Sequence, residues 1–349
     1  MSASDLVPVR VGIVGQGRSG WGIHADLFQR LPEHYRVVAV CDPIEARRQQ
    51  AAATFGCAAY LNLNDLLADP AVELVVVAPP TYLHAPNSIQ ALEAGKAVVC
   101  EKPMAANLYD ADQMITAARR TGSLLTVFQN RRYDPDTVQV RKVIESGKLG
   151  RIVQIKLLNQ GFGRRWDWQT LKSRGGGSLR NNGIHAIDQA LQFMGPVEPE
   201  VFGDLDRTLT LGDADDHVKI VLKAPGAPTV DIEVTSCCAY SQDYWHVYGT
   251  QGGLTGTSRE LRWKYFKPEE MPPRQATVES TPDRSYNSEP IHWYEESWSM
   301  TEADTAAGWK GYYLDLYNTL RHGAPLAVTP ESARRAMAVI EQVTRTCPV

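Results

Sequence analysis

The chain has 349 residues, enough for two domains at roughly 100–200 residues each. Hydrophobic residues make up 43% and charged residues 22%, the composition of a folded protein rather than a disordered one. A formal net charge of -4 leaves no excess positive potential for nucleic acid or an anionic membrane, and no apolar run approaches the ~20 residues that cross a bilayer.

The first nine residues are too few and too polar for a secretion signal, so a cytoplasmic location is expected. The six cysteines, Cys41, Cys57, Cys100, Cys237, Cys238 and Cys347, contain no Cys-x-x-Cys pair. They are expected to be mostly small buried residues in a reducing compartment, not a zinc site, and no metal is expected. Short, Val-rich, nearly continuous apolar runs then follow at 9–14, 37–41, 74–78, 97–100 and 124–128. Such runs are expected of strands buried on both faces of a parallel sheet. Helices are expected between them at 22–31, 44–55, 85–94 and 108–121, the last stopped by Gly122. This alternation predicts a doubly wound α/β domain over residues 1–128.

Gly15-Gln16-Gly17-Arg18-Ser19-Gly20 stands between the first strand and the first helix. Gly15 allows the tight turn, Gly17 lets backbone approach a pyrophosphate, and Gly20 allows close helix–strand packing. The helix N-terminus adds N–H groups and positive dipole for phosphates. Asp42, 22 residues past Gly20 at the end of the second strand, is placed to accept hydrogen bonds from ribose hydroxyls. The same aspartate is placed to cap the next helix. A carboxylate there repels a 2′-phosphate and favours NAD, while nearby Arg47 and Arg48 leave NADP open. Glu101-Lys102-Pro103 follows the run 97–100, which puts Lys102 at the carboxyl edge of the sheet, where ligands of such folds bind.

Beyond residues 128–131 the pattern changes. A helix is expected at 135–146, then strands at 151–158, 218–222, 229–238, 245–248 and 262–266, with one helix at 184–194 among them. Strands without intervening helices predict an α+β domain over 129–349 with a large, mostly antiparallel, open sheet. Two closing helices, 311–322 and 330–344, are free to pack back on the first domain, and 268–290 reads as a surface loop. Arg164-Arg165-Trp166-Asp167-Trp168 fits either a carbohydrate-binding loop, with Trp166 stacking on a sugar ring, or an aromatic subunit contact. Tyr240, His246 and Tyr286 read as packing or sheet-face residues. After Gly175-Gly176-Gly177, the residues Asn181, His185 and Asp188 recur at helical spacing and so share a face, where His and Asp are expected to be hydrogen-bonded.

Taken in order, the glycine turn, Ala78-Pro79-Pro80 with His84, Ala91-Leu92-Glu93-Ala94-Gly95-Lys96 before Glu101-Lys102-Pro103, Asn130-Arg131-Arg132-Tyr133-Asp134-Pro135, and the stretch from Gly175 to Asp188 resemble the Gfo/Idh/MocA oxidoreductases. The resemblance runs over nearly the whole chain. It implies a Rossmann domain, a second sheet that carries homodimer or homotetramer contacts, and a carbohydrate substrate in the cleft between domains. It implies cofactor contacts from Gly15 to Gly20 and at Asp42, Ala78, Pro79, His84, Glu101, Lys102 and Asn130. It implies substrate contacts at Lys102, Arg132, Tyr133, Trp166, Asn181 and His185. The family's catalytic lysine falls on Lys102 and its histidine on His185. Its aspartate, four residues before that histidine, is Asn181 here, which carries neither charge nor a titratable proton.

The expected activity is hydride transfer between NAD and a secondary hydroxyl of a sugar, glycoside or inositol-like polyol. His185 is the general base and Lys102 stabilises alkoxide charge. Two other readings stay open: a redox-neutral glycosidase or epimerase that passes through a keto intermediate, and a dinucleotide-binding sensor without catalysis.

Overall fold

A computed structural model describes residues 7–281 and 284–347. Six of the nine N-terminal residues weighed above as a possible signal lie outside these, as do Pro282 and Asp283 of the loop expected at 268–290. In the first domain β1 (Val9–Val14) leads through the glycine turn into a π-helical segment, Gly20–Ala25, and a short α1 (Asp26–Gln29). Then come β2 (Tyr35–Cys41), α2 (Glu45–Phe55), β3 (Ala58–Tyr60), α3 (Leu63–Ala68), β4 (Leu74–Val77), α4 (His84–Glu93), β5 (Ala97–Cys100), α5 (Leu108–Thr121) and β6 (Leu125–Val127).

The six strands are parallel in the order β3-β2-β1-β4-β5-β6. This is the Rossmann order, and its crevice opens where the chain reverses, between β1 and β4. Every residue of β4 is buried, which is why a run of Leu and Val without polar alternation forms it. The sequence reading missed β3 and α3. Three residues at a sheet edge, none of them fully buried, leave no periodic trace.

The second domain contains α6 (Pro135–Glu145), β7 (Ile152–Gln160), a second π-helical segment, Leu179–Gly183, running into α7 (Ile184–Met194), and strands β8 (Glu200–Asp206), β9 (His217–Lys223), β10 (Thr229–Thr235), β11 (Trp245–Gly249), β12 (Gly252–Gly256), β13 (Glu260–Tyr265) and β14 (Tyr294–Ser299). Three helices close the chain: α8 (Glu302–Ala307), α9 (Lys310–His322) and α10 (Pro330–Thr346).

The eight strands run β14-β13-β12-β11-β7-β10-β9-β8, antiparallel except for the β7–β10 pair. Strands β9 and β10 bury alternate residues, Val218, Ile220 and Leu222 beside Val230, Ile232 and Val234. These share a core with Ile187 and Leu191 of α7 and Met337 and Ile340 of α10. Strands β8, β12 and β14 were not foreseen, because acids, glycines and serines hold positions where an apolar run would have marked them.

Helix α9 packs against strands of the first domain. Its Tyr312, Tyr313, Leu316 and Tyr317 share a core with Val9, Val11, Ile13 and Tyr35, and the Tyr35 hydroxyl donates to the Tyr313 carbonyl at 2.7 Å. All six cysteines are free, but only Cys41 and Cys100 are buried and Cys237 is exposed, so burial does not unite them as expected. Among the described residues no helix is long and apolar enough to cross a membrane.

Candidate active site

The glycine turn has the shape a dinucleotide requires. Gly15 takes φ +87°, and a Cβ there would lie 2.7 Å from the Ala78 carbonyl, which sets Ala78 and Pro79 against the turn. At Gly20 a Cβ would lie 1.8 Å from the Gly15 carbonyl oxygen. Gly17, by contrast, faces nothing within 4 Å. Packing demands the outer two glycines, whereas the middle one borders space that a pyrophosphate can enter. The Trp21 N–H donates to the Gly17 carbonyl, so the helix opens at that space, with Arg18 exposed beside it and half-buried Ser19 next.

Asp42 ties the glycine turn to the residue that precedes α2. Its carboxylate accepts from the Gln16 N–H at 2.7 Å and from the Ile44 N–H at 2.8 Å, joining the glycine turn to the start of α2. Arg47 stands 3.7 Å from one carboxylate oxygen, while Arg48 donates to the Asp42 and Pro43 carbonyls. Each carboxylate oxygen has a second lone pair, so ribose hydroxyls can still be accepted. Gln16 sends its Nε2 to the Ile13 carbonyl, and its Oε1 is buried without a partner. Both side-chain polar atoms of buried Gln129, just after β6, are also unpartnered. Buried polar atoms left open in this way mark places that a ligand or water fills. The open space at Gly17, the carboxylate at Asp42 and these orphans fit a nicotinamide dinucleotide.

Lys102 leaves β5 through a loop whose following peptide bond, to Pro103, is cis. Its ammonium donates to the Asn181 backbone carbonyl at 2.9 Å, a bridge between the two domains. Burial pushes its pKa down; Glu101 opposes this, and the Arg131 and Arg18 charges add to it. Glu101 was expected to touch cofactor, but the structure turns it inward. Its Oε1 lies 3.0 Å from His24 Nε2, its Oε2 accepts the Lys102 N–H, and His24 Nδ1 lies 2.6 Å from the Tyr313 hydroxyl. Burial alone would raise the Glu101 pKa, but the hydrogen bond and charge of His24, then Lys102, outweigh it and hold the group ionised. Glu101 therefore anchors the Lys102 loop to α9.

His185, in the first turn of α7, is 6% exposed, and its Nδ1 is buried without a partner. Burial first, then the Lys102 and Arg131 charges, hold its pKa well below the usual value, so the ring is neutral at neutral pH. Asn181 exchanges two amide hydrogen bonds with Gln169: its Nδ2 donates to Oε1 at 3.2 Å and its Oδ1 accepts from Nε2 at 3.3 Å. Gln169 also accepts from Arg165, which is paired with Asp167, so the tryptophan loop is tied to the site through Gln169 rather than Trp166. Trp166 itself is 76% exposed. Tyr240 and Tyr286 are also exposed, and His246 Nδ1 meets the Thr255 hydroxyl.

Two residues expected at the substrate have protein partners. Arg132 forms a buried two-pronged ion pair with Asp188, at 2.8 and 2.6 Å, and also donates to Ser332. Asp188 is thereby withdrawn from His185. The i→i+5 turns of Leu179–Gly183 spoil the simple α-helical spacing on which a shared face depends. Tyr133 donates its hydroxyl to Asp315 of α9 at 2.7 Å and packs against Tyr312, which fastens the 3₁₀ turn to α9.

His84 is buried with its two nitrogens against the Pro103 and Pro79 carbonyls, and burial lowers its pKa. It holds the Pro79 and Pro103 loops together. Asn130 is buried in a 3₁₀ turn, Asn130–Tyr133, beside the residue that the sequence reading passed over. That residue is Arg131, whose charge acts on both Lys102 and His185. In sequence it was hidden by Arg132, since adjacent arginines look alike until their partners are known.

Two family models match the chain. One, described as the oxidoreductase family GFO/IDH/MocA with an NAD-binding Rossmann fold, covers residues 9–129, and the GFO/IDH/MocA C-terminal domain covers residues 137–255. An uncharacterized oxidoreductase of Schizosaccharomyces pombe is 31% identical over 260 residues, which span 71% of this chain and 70% of that protein. A scyllo-inositol 2-dehydrogenase (NADP(+)) of Bacillus subtilis is 33% identical over 190 residues, 54% of this chain and just over half, 52%, of that protein. Among solved structures, an NAD-binding protein from Listeria innocua has a TM-score of 0.80 and 26% identity, with 98% of each chain covered.

Proposed function

The chain belongs to the GFO/IDH/MocA family of oxidoreductases, and from that premise we propose that it is an NAD-dependent dehydrogenase acting on a secondary hydroxyl of a sugar or inositol-like polyol. One observation carries the reading. Lys102, from the end of β5, donates its ammonium to the Asn181 carbonyl at 2.9 Å, just before His185 in the first turn of α7, although the two elements come from different domains.

Neutral His185 takes the proton of the reacting hydroxyl, and Lys102 donates a hydrogen bond to the same oxygen as alkoxide charge grows. A nicotinamide dinucleotide held at Gly17 and Asp42 would supply the hydride acceptor, so that loss of the hydroxyl proton to His185 and of hydride from the same carbon would leave a carbonyl. Asn181 and Gln169 are the amides that orient the remaining hydroxyls. Asp42 favours NAD, since its carboxylate repels a 2′-phosphate and Arg48 is already engaged with backbone carbonyls. The similarity to a Bacillus subtilis protein named for scyllo-inositol and NADP(+) supports the polyol class and leaves cofactor choice to Asp42.

The test is incubation with NAD⁺ and a panel of sugars and inositols, following NADH absorbance. Sustained growth is expected with at least one member, and Lys102→Met or His185→Ala should each lower kcat about 100-fold or more. A panel with no net NADH overturns the dehydrogenase reading. Altered sugar without NADH would point to redox-neutral use of the cofactor.

A further inference from the structure

A lysine side chain is long and flexible, yet Lys102 is fastened at both ends. Its ammonium donates to the Asn181 carbonyl at 2.9 Å. Its backbone N–H donates to the carboxylate of the preceding residue, Glu101, at 2.9 Å. The other Glu101 oxygen lies 3.0 Å from His24 Nε2, and His24 Nδ1 lies 2.6 Å from the Tyr313 hydroxyl. Glu101 is held ionised, and a carboxylate only accepts, so His24 Nε2 carries a hydrogen. The imidazole is thereby gripped on both nitrogens.

Packing alone does not call for such a network. His24 is fully buried, Glu101 is 4% exposed, and Phe128 packs on the His24 ring while Phe28 and Tyr35 pack on Tyr313. In these surroundings an ionised carboxylate costs more to desolvate than apolar side chains of the same volume, so stability does not account for it. A polar network adds direction, because each bond joins one donor atom to one acceptor atom. His24 lies in the π-helical segment Gly20–Ala25, directly after the glycine turn. Tyr313 lies in α9, and its carbonyl is itself fixed by the Tyr35 hydroxyl. One line of hydrogen bonds therefore runs from the helix behind the glycine turn to the backbone of Lys102.

We propose that His24 is a positioning residue for the dehydrogenation: through Glu101 it fixes the backbone of Lys102 relative to the glycine turn, and Tyr313 holds the imidazole in place. The role of Lys102 at the reacting oxygen rests on the dehydrogenase reading, whereas the link from His24 to Lys102 rests on the hydrogen bonds alone. His24 is walled off from solvent and acts only through the placement of Lys102. An error of about 1 Å in such a placement is worth about 100-fold in rate.

Hydrogen exchange at the Lys102 amide tests the link without any turnover. In protein carrying isotope-labelled lysine, that amide is assigned by its loss in Lys102→Arg and followed by NMR. The Lys96 amide, bonded to the Ala91 carbonyl in the same domain, is the control. Tyr313→Phe keeps the ring and removes only the hydroxyl. It should speed Lys102 exchange about tenfold, the worth of one hydrogen bond, and leave Lys96 unchanged. His24→Leu should speed it further, and His24→Gln, whose amide offers both a donor and an acceptor, should restore most of the protection. With a sugar that yields NADH, kcat should fall in the same order, by about 3- to 100-fold, while KM for the sugar and affinity for NAD⁺ stay within about threefold. Should His24→Leu fail to fold, Tyr313→Phe decides alone. Lys102 exchange that stays at the parent rate, or that rises only together with Lys96, overturns the proposal, as does an undiminished kcat where Lys102 exchange has risen. Selective acceleration at Lys102, with no NADH from the parent protein on any sugar, would sink the dehydrogenase reading and leave the link from His24 standing.

Discussion

Both domains bring a glycine-bearing loop into a helix that opens with a π-helical segment, Gly20–Ala25 in the first and Leu179–Gly183 in the second. The two openings do different work. In the first, the functional feature is missing side chain: Gly17 borders open space between two glycines that packing requires. In the second, the glycines are filled in by protein. A Cβ on Gly176 would meet the Gln169 carbonyl at 2.3 Å, and one on Gly177 would meet an Asp215 oxygen at 2.2 Å. Their close packing sets the start of the segment that bears Asn181 and His185, the residues to which we assign substrate positioning and proton transfer. Glycine in the first opening makes room for a ligand. In the second it makes room for the chain itself.

The sharpest break in this comparison is expected from Arg132→Met, which leaves Asp188 of α7 buried without its partner. Loss of one member of such a pair costs about 3–5 kcal/mol. Denaturant unfolding should show that loss, and an unchanged midpoint would mean that α7 is held by its apolar face alone. Gly20→Ala comes next, at about 3 kcal/mol by the magnitude of overpacking, since its methyl collides with a backbone carbonyl that cannot swing aside.

Gly17→Ala sharpens the contrast within the same turn. Its melting temperature without ligand should match the parent, while dinucleotide affinity, measured by calorimetry, falls about tenfold, or roughly 1.4 kcal/mol. Equal effects of the two alanines on stability would erase the distinction between a packing glycine and a ligand glycine.

The smallest effect concerns acid. His185 must be neutral to accept a proton, so kcat/KM falls as pH drops through its pKa in the free enzyme. That pKa is held well below the usual value of 6.5 by burial and then by Lys102 and Arg131, so the acid limb should lie below pH 6.5. Arg131→Gln removes one of those positive charges, stabilises the imidazolium and should move the limb upward. A limb at or above the ordinary histidine range would show that His185 is not the base.

Sequence reading worked best where the causes are local. The strands at 9–14 and 97–100 and the helices at 108–121 and 184–194 coincide with β1, β5, α5 and α7. Each has a continuous apolar run or a strong period, and α5 also has Asn107 capping its start and Gly122 its end. It worked worst where pairing across the sheet sustains a polar strand. Tyr294–Ser299 forms β14 because β13 offers a ladder to it, and its own residues announce nothing.

In the candidate site, the glycine turn was legible because its backbone constrains residue type within a few positions, whereas Lys102 and His185 were singled out by resemblance to the family and their roles are proposals. The fate of Arg132 was not legible, since it meets Asp188 by virtue of where α7 docks.

Amino-acid order by itself determined the alternating strands and helices of the first domain, the φ > 0 turn at Gly15, and the residue types available for proton and charge transfer. Steric and hydrogen-bonding rules between near neighbours suffice for these. Only the tertiary structure decided that Glu101 faces His24, that Asn181 is matched to Gln169, and that Arg132 is paired with Asp188. Those choices depend on distances between segments far apart in the chain, where burial removes water and each buried charge must find its partner in whatever the fold brings beside it.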